Sequence, residues 1–427
     1  MAAVEDLKTS SPPALWRNPD FLLLWSGQAV SSVGTRVSSL AYPLLALAIT
    51  GSPVLAGLVG ALASVPYFIL MLPAGALVDR WDRKRVMILC DLGRAAAMGS
   101  IPLALAAGPL TPIHLALVAL ADGTLSAFFD LAAASALPRV VEARGLPQAL
   151  SATSIADQLS RMVGPALGGL LYGLSRALPF LADAASYAVS VVSLLFIRAR
   201  FQGERAPAAE KVWAEVRVGM RWLWRQPLLR FLALLVGGLN LFSMGFPLIM
   251  IVRAQQLGAD AFTIGLLFAT GGVGGIVGAA VTPWLHRRYR FGDLVVGVTW
   301  VWVITWVPYA LAPSLLLLSL ANVLGWLIVP MLYVTVSAYR LAVVPDELRG
   351  RVSSAYNLVT AGAQPLSLAA TGWLLGAVGP SATILLITAP QAILAALATA
   401  HARLRATPRL EEAVGPECGR ASVPTDM

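Results

Sequence analysis

Of the 427 residues in this chain, 58% are hydrophobic and only 12% charged, about half the charged share of an average soluble domain, roughly 25%. So little charge cannot clothe a soluble protein of this length, so much of the outer surface must face lipid, where each crossing takes ~20 apolar residues. The net charge of +9 would admit nucleic-acid binding in a soluble protein, but the basic residues are placed to serve a membrane instead.

Residues 1–20 form a polar cytoplasmic tail that holds Glu5, Asp6, Pro12, Pro13 and Asp20 and no apolar signal-peptide core. Apolar runs follow at about 21–48, 53–77, 86–107, 112–136, 155–174 and 178–197. The breakers Gly51-Ser52-Pro53 and Gly108-Pro109-Leu110-Thr111-Pro112 mark turns between them. Residues 199–227 begin polar and become amphipathic. Val212, Trp213, Val216, Met220 and Leu223 recur at helical spacing, which predicts a cytoplasmic linker helix lying at the membrane interface. Six further runs fall at about 228–252, 261–285, 293–311, 314–338, 353–376 and 380–400, with turns at Ala312-Pro313-Ser314 and Gly379-Pro380-Ser381. Residues 403–427 form a second polar tail, expected to be disordered. Sheet or irregular backbone cannot face lipid with its polar groups unpaired, and the runs lack the two-residue alternation of a transmembrane barrel. The prediction is an all-α membrane protein.

The two sets of six runs resemble each other. LPRVVEARGLPQALSATS after the fourth run leads into GPALGGLLYG, as VPDELRGRVSSAYN after the tenth leads into QPLSLAATGWLLG. DRWDRKR after the second run is matched by HRRYR after the eighth. Twelve transmembrane helices in two pseudo-symmetric six-helix bundles, 21–198 and 228–402, are expected, with a substrate cavity near the midplane. With the N-terminus in the cytoplasm, all Lys and Arg fall on the cytoplasmic side except Arg36, Arg94 and Arg161 within spans and Arg176 and Arg253 outside. This bias predicts a multi-pass protein of the cell membrane with both termini cytoplasmic, its cations facing the lipid bilayer and no nucleic acid bound.

The most specific motif is GALVDRWDRKR, with Gly75, Asp79, Arg80, Asp82, Arg83, Lys84 and Arg85. It resembles the loop signature of the major facilitator superfamily, G-x-x-x-D-[RK]-x-G-x-[RK]-[RK], and departs from it at Asp82, where the general pattern has Gly. The D-R-x-D-R form, LWSGQAVSSVGTRVSSLAYPLLAL and VPDELRGRVSS resemble a subgroup of bacterial drug- and siderophore-exporter-like members, the transmembrane secretion effectors, over roughly residues 14–405. Physically, Gly75 permits close helix approach. Asp79, with Arg80 beside it, faces the positive end of the eleventh helix near Ser353 and is expected to latch the cytoplasmic side. In the fifth run, Gly164, Pro165, Gly168 and Gly169 resemble the core of the exporters' antiporter signature, G-P-x-x-G-G, although Ser151 and Ser160 stand where that signature has glycines. Pro165 interrupts the backbone ladder there. The Gly271–Gly278 run in the eighth helix is read as helix packing.

Charges within spans are costly and face a bundle interior or a cavity. Asp122 is the first candidate for proton coupling and Asp130, two turns on, the second. Arg36 is a candidate counter-ion or anion contact. Asp157 and Arg161 share a helical face four residues apart, Asp91 and Arg94 are three apart, and Asp183 lies near the outer end of the sixth run. The second half offers uncharged cavity candidates: Asn240, Asn322, Tyr333, Tyr339, Gln364 and Gln391. Walker, dinucleotide and H-E-x-x-H motifs are absent, the three histidines are dispersed, and Cys90 and Cys418 form no framework. Neither a cofactor, nor a metal, nor an enzyme is expected. The reading is a secondary active transporter exporting a drug-like compound or secondary metabolite by alternating access, with protons as the coupling ion, and the resemblance implies a monomer. A nutrient importer on the same fold and a non-transporting receptor are the alternatives.

Overall fold

The computed structural model describes residues 15–78, 80–202 and 210–409. Among these, every regular element is a helix. The chain divides into two compact units, Met1–Val212 with Asp260–Leu266, and Trp213–Ala259 with Leu267–Met427.

In the first unit, α1 (Pro19–Thr50) starts where the Asn18 side chain accepts from the backbone N–H groups of Asp20 and Phe21, with Pro19 at the first helical position, and stops at Gly51, whose φ of 63° suits glycine. After it come α2 (Pro53–Val78), α3 (Arg83–Ala107), α4 (Pro112–Val140), α5 (Leu146–Leu174) and α6 (Leu178–Phe196). Pro112, capped by Thr111, opens α4 in the same way. Helix α1 packs on α5 and α6, α3 on α4 and α6, and α2 on α4. Phe21, Leu24, Met87, Cys90, Phe129, Leu194 and Phe201 form a core where the starts of α1 and α3 meet the ends of α4 and α6.

The second unit holds most of α7 (Glu210–Arg225), then α8 (Pro227–Ser243), α9 (Phe246–Gln256), α10 (Ala261–Arg288) from Leu267 onward, α11 (Phe291–Leu311), α12 (Leu315–Val343), α13 (Arg349–Ala361), α14 (Gln364–Ala400) and the short α15 (Ala402–Arg405). The amphipathic α7 buries Leu223 and half-buries Val216 and Met220. Its Gly219 meets the Arg351 backbone of α13, and Glu215 pairs with Arg351 at 3.4 Å. Val212 and Trp213 of the expected stripe have side chains outside those described.

Two expected runs are interrupted. The 228–252 run breaks between α8 and α9, where Gly245 leaves room for the Thr371 side chain of α14. The 353–376 run breaks at Gly362 and Ala363, just before Pro365, which cannot donate to a continuing ladder. The turn at Gly379-Pro380-Ser381 is present as a kink, with Gly379 at φ 75°.

Among the described residues, ten segments are long and apolar enough to cross a membrane. They count Asp346–Ala400 once, although it breaks at Gly362 and again at Gly379, and they omit α5, which carries Asp157 and Arg161 in its first two-thirds. Divided at the Gly379 kink into two crossings, with the break at Gly362 lying inside the first of them, and with α5 added, the set comes to twelve crossings. Leu103, Ile113, Leu174, Ile276, Leu316 and Trp373 are exposed, so the outer faces are apolar where a soluble protein would be charged.

Candidate functional site

The loop motif begins at the end of α2. Gly75 lies in α2, with its surroundings not described, and Asp79 lies outside the described residues, as does the latch expected of it. Arg80 is exposed. Asp82, the departure from the general pattern, has a local purpose. It is the N-cap of α3, accepting from the Arg85 N–H at 3.1 Å, with the Arg85 side chain 3.8 Å away. Arg83 donates to the carbonyls of Ser135 and Phe201, both at 3.3 Å. Lys84 donates to the carbonyls of Leu195 at 3.3 Å and Ile197 at 2.7 Å, the unsatisfied negative end of α6. Asp20 in the first turn of α1 accepts from the N–H groups of Arg198 and Ala199, and Asn18 donates to Val140. One end of the unit is therefore tied together by charges meeting helix termini.

Deeper in the unit the charged side chains converge. Arg94 on α3 donates from Nε to Asp122 Oδ1 on α4 at 2.8 Å, the two side chains being 6% and 18% exposed. The Arg94 guanidinium also lies over the Tyr187 ring of α6, 4.3 Å from its centre, and the Tyr187 hydroxyl meets Thr35 of α1 at 2.9 Å. Asp183 is fully buried and accepts from Ser38 at 2.5 Å and from Ser186 at 3.4 Å. Asp157 on α5 is held from both sides, by Arg36 Nη2 of α1 at 3.2 Å and Arg161 Nε at 2.9 Å. Asp91 is fully buried, and neither carboxylate oxygen receives a hydrogen bond of normal geometry, Ser190 being the polar group beside it.

Asp130 differs from these acids. It is exposed on α4, on the same face as Asp122 by its spacing of eight residues. No hydrogen bond or ion pair engages it among the described residues, and Arg94, Arg36, Asp122 and Asp157 are the charges around it. Sequence spacing pointed to the local pairs, Asp157 with Arg161 and Asp91 near Arg94. The pairs Arg94–Asp122 and Arg36–Asp157 join residues 28 and 121 positions apart, and no local pattern announces them.

The glycines of α5 explain how Arg36 reaches Asp157. A β-carbon on Gly164 would run into the Cβ and backbone of Arg36, and one on Gly168 would lie 2.5 Å from the Val37 carbonyl oxygen. Gly169 faces the backbone of Ala261, which clusters with this same unit. Pro165 sits between them in α5 without ending the helix. The missing side chains bring α1 and α5 together at the depth of the charge network. Ser160 is buried and donates to the Ala156 carbonyl at 2.8 Å, and Ser151 is exposed.

In the second unit the polar candidates are mostly committed to packing. Asn240 donates to the Thr360 carbonyl at 2.8 Å and accepts from Tyr333 at 2.5 Å. Asn322 donates to the Leu267 carbonyl at 2.6 Å and accepts from Tyr309 at 3.3 Å. Gln391 accepts from Trp302 at 2.9 Å. Tyr339 stacks on Phe291, with ring centres 4.6 Å apart. Gln364 is half-buried at the first turn of α14, with no hydrogen bond from its side chain among the described residues. Gly274 and Gly278 of α10 meet the Val323 and Leu327 carbonyls of α12.

A family model described as transmembrane secretion effector matches residues 10–417. The multidrug efflux pump Tap of Mycolicibacterium fortuitum is 29% identical over 404 residues, covering 91% of this chain and 97% of the pump. Macrolide efflux protein A of Streptococcus pyogenes is 29% identical over 225 residues, covering 52% of this chain and 55% of that protein. Among solved structures, a bacterial homolog of the human lysosomal transporter Spinster, inward-facing and unoccupied, superposes with a TM-score of 0.75 at 15% identity, covering 95% of this chain and 100% of that one. A bacterial homologue of the iron transporter ferroportin, in an inward-facing state, gives 0.68 at 18% identity, covering 90% and 99%. At these identities the solved structures bear on the fold alone.

Proposed function

The chain belongs to the transmembrane secretion effector family of major facilitator transporters, and from that premise we propose that it exports a drug-like organic molecule, coupled to protons, by alternating access. It is a multi-pass membrane transporter of small molecules and not an enzyme. The roles named for its relatives, multidrug and macrolide efflux, support the direction and the substrate class.

Proton coupling is read from one observation: Asp130 is exposed on a membrane-spanning helix, and among the described residues no hydrogen bond or ion pair engages it. An intramembrane acid without a partner is costly unless it faces water or binds a proton, and a coupling group must do both in turn. Asp122 is the first candidate in the sequence, but its ion pair with Arg94 already satisfies its charge, so Asp130 takes the coupling role and Asp122 the role of holding Arg94. Arg36, kept in place by Asp157, supplies the positive field beside Asp130. Asp79 and Arg80 gate the cytoplasmic side, both termini are cytoplasmic, the bundles are residues 21–198 and 228–402 joined by the linker 199–227, and the protein works as a monomer.

The test is accumulation of a fluorescent cationic dye in cells expressing the wild type, Asp130→Asn or Asp122→Asn, with and without a protonophore. Dye exclusion that collapses with the protonophore and with Asp130→Asn supports the reading. Exclusion unaffected by the protonophore removes proton coupling. Uptake into right-side-out vesicles, driven by the same gradient, would make the protein an importer.

A further inference from the structure

In the second unit a groove of about 440 Å³ opens between the start of α8 and the junction of α14 with α15, lined by Pro227, Arg230, Phe231, Leu234, His401 and Arg403. We propose that this groove binds the headgroup of an anionic phospholipid. The inference is independent of transport direction and coupling.

Three features give the groove its chemistry. Arg230 and Arg403 are exposed, and neither joins an ion pair among the described residues. Arg230 spends one donor on the Trp224 carbonyl, at 3.3 Å, which holds the side chain while leaving its other donors open. His401 stacks on Phe231, ring centres 4.1 Å apart and 24° from parallel. Its Nδ1 accepts from the Leu404 N–H at 3.1 Å, so in the neutral ring the proton sits on Nε2 as a donor. Two guanidinium groups and a fixed imidazole donor suit a phosphate oxyanion.

The walls select a lipid over a free ion. Leu234 lies one helical turn into the span from Arg230, and Leu397 one turn into the span from His401. Both leucines are exposed. Each helix thus presents a polar group at its end and bare apolar surface one turn deeper, the order of an anionic head followed by an acyl chain. Basic pockets between spans, at the end where most Lys and Arg gather, meet anionic headgroups in this way.

The test uses the purified full-length protein in phosphatidylcholine nanodiscs with phosphatidylglycerol added, read by lipid retention in native mass spectrometry and by thermal stability. The comparison is wild type, the double variant Arg230→Gln/Arg403→Gln, and a control, Arg287→Gln/Arg288→Gln, which removes equal charge at the end of α10. The expected result is preferential retention of phosphatidylglycerol by wild type and control, weakened roughly tenfold or more in the double variant, with the elution volume of the variant unchanged. Inorganic phosphate is expected not to compete. Equal retention in all three proteins, equal retention of added phosphatidylcholine, or displacement by inorganic phosphate overturns the proposal. Retention that appears only after deletion of residues 410–427, which carry Glu411, Glu412 and Glu417, also overturns it, in favour of the chain's own tail.

Discussion

Replacing Asp122 with leucine would leave the Arg94 guanidinium charged, 6% exposed and without its carboxylate 2.8 Å away. Removing one member of a buried pair costs about 3–5 kcal/mol, because the survivor stays desolvated. The Tyr187 ring beneath Arg94 offsets part of this, by about 0.5–2 kcal/mol for a cation over an aromatic face, so the lower end of the range is expected. At roughly 2–4 °C per kcal/mol for a folding unit of this size, the apparent melting temperature in detergent falls by about 6–12 °C. The double variant Arg94→Met/Asp122→Leu removes both charges and recovers most of that loss. Ordinary interhelical polar contacts in membranes couple by only ~0.6 kcal/mol on average, so a coupling above ~2 kcal/mol in the double-mutant cycle marks a desolvated ion pair. The assay is fluorescence-monitored thermal unfolding of all four proteins. If Asp122→Leu melts within about 2 °C of wild type, or the double variant falls as far as the sum of the singles, the pair is not a desolvated structural link and the division of roles between Asp122 and Asp130 fails.

Asp130→Asn breaks no hydrogen bond or ion pair among the described residues, so melting is expected to stay within about 2 °C of wild type while protonophore-sensitive dye exclusion is lost. A large drop in stability would instead make Asp130 a structural residue. Gly164→Ala forces a β-carbon against Arg36; overpacking of this kind costs about 1–3 kcal/mol, seen as lower melting and reduced transport. An unchanged variant would show that α1 and α5 separate freely. Asp82→Ala loses the α3 cap and about 1 kcal/mol, whereas Asp82→Gly, the residue of the general pattern, costs only a few tenths. Equal melting of these two variants would remove the capping explanation for Asp82.

By itself the sequence determined the quantities that accumulate along a chain. A helix buries its own backbone groups, so runs of apolar residues, their turn residues and the distribution of Lys and Arg were enough to give an all-helical membrane protein. The loop and glycine motifs were enough to give its family. The breaks at Gly245 and Gly362 were harder to read, because apolar composition continues through them and only the neighbouring helices make an interruption useful. The charge network was legible as a set of residues but not as a set of partners. Arg94 is three residues from Asp91 yet pairs with Asp122, and Arg36 meets Asp157 from another helix. Asn240 looked like a cavity amide until Thr360 and Tyr333 were seen to use both ends of it. Pairing depends on which helix faces cross and how closely, and that distance is set by small residues such as Gly164 and Gly168 acting against a neighbour far away in the chain. Tertiary structure therefore decided which charges within the spans are neutralised by a partner and that, among the described residues, no ion pair engages the exposed Asp130, because partnership in a bundle is fixed by helix packing and not by separation along the sequence.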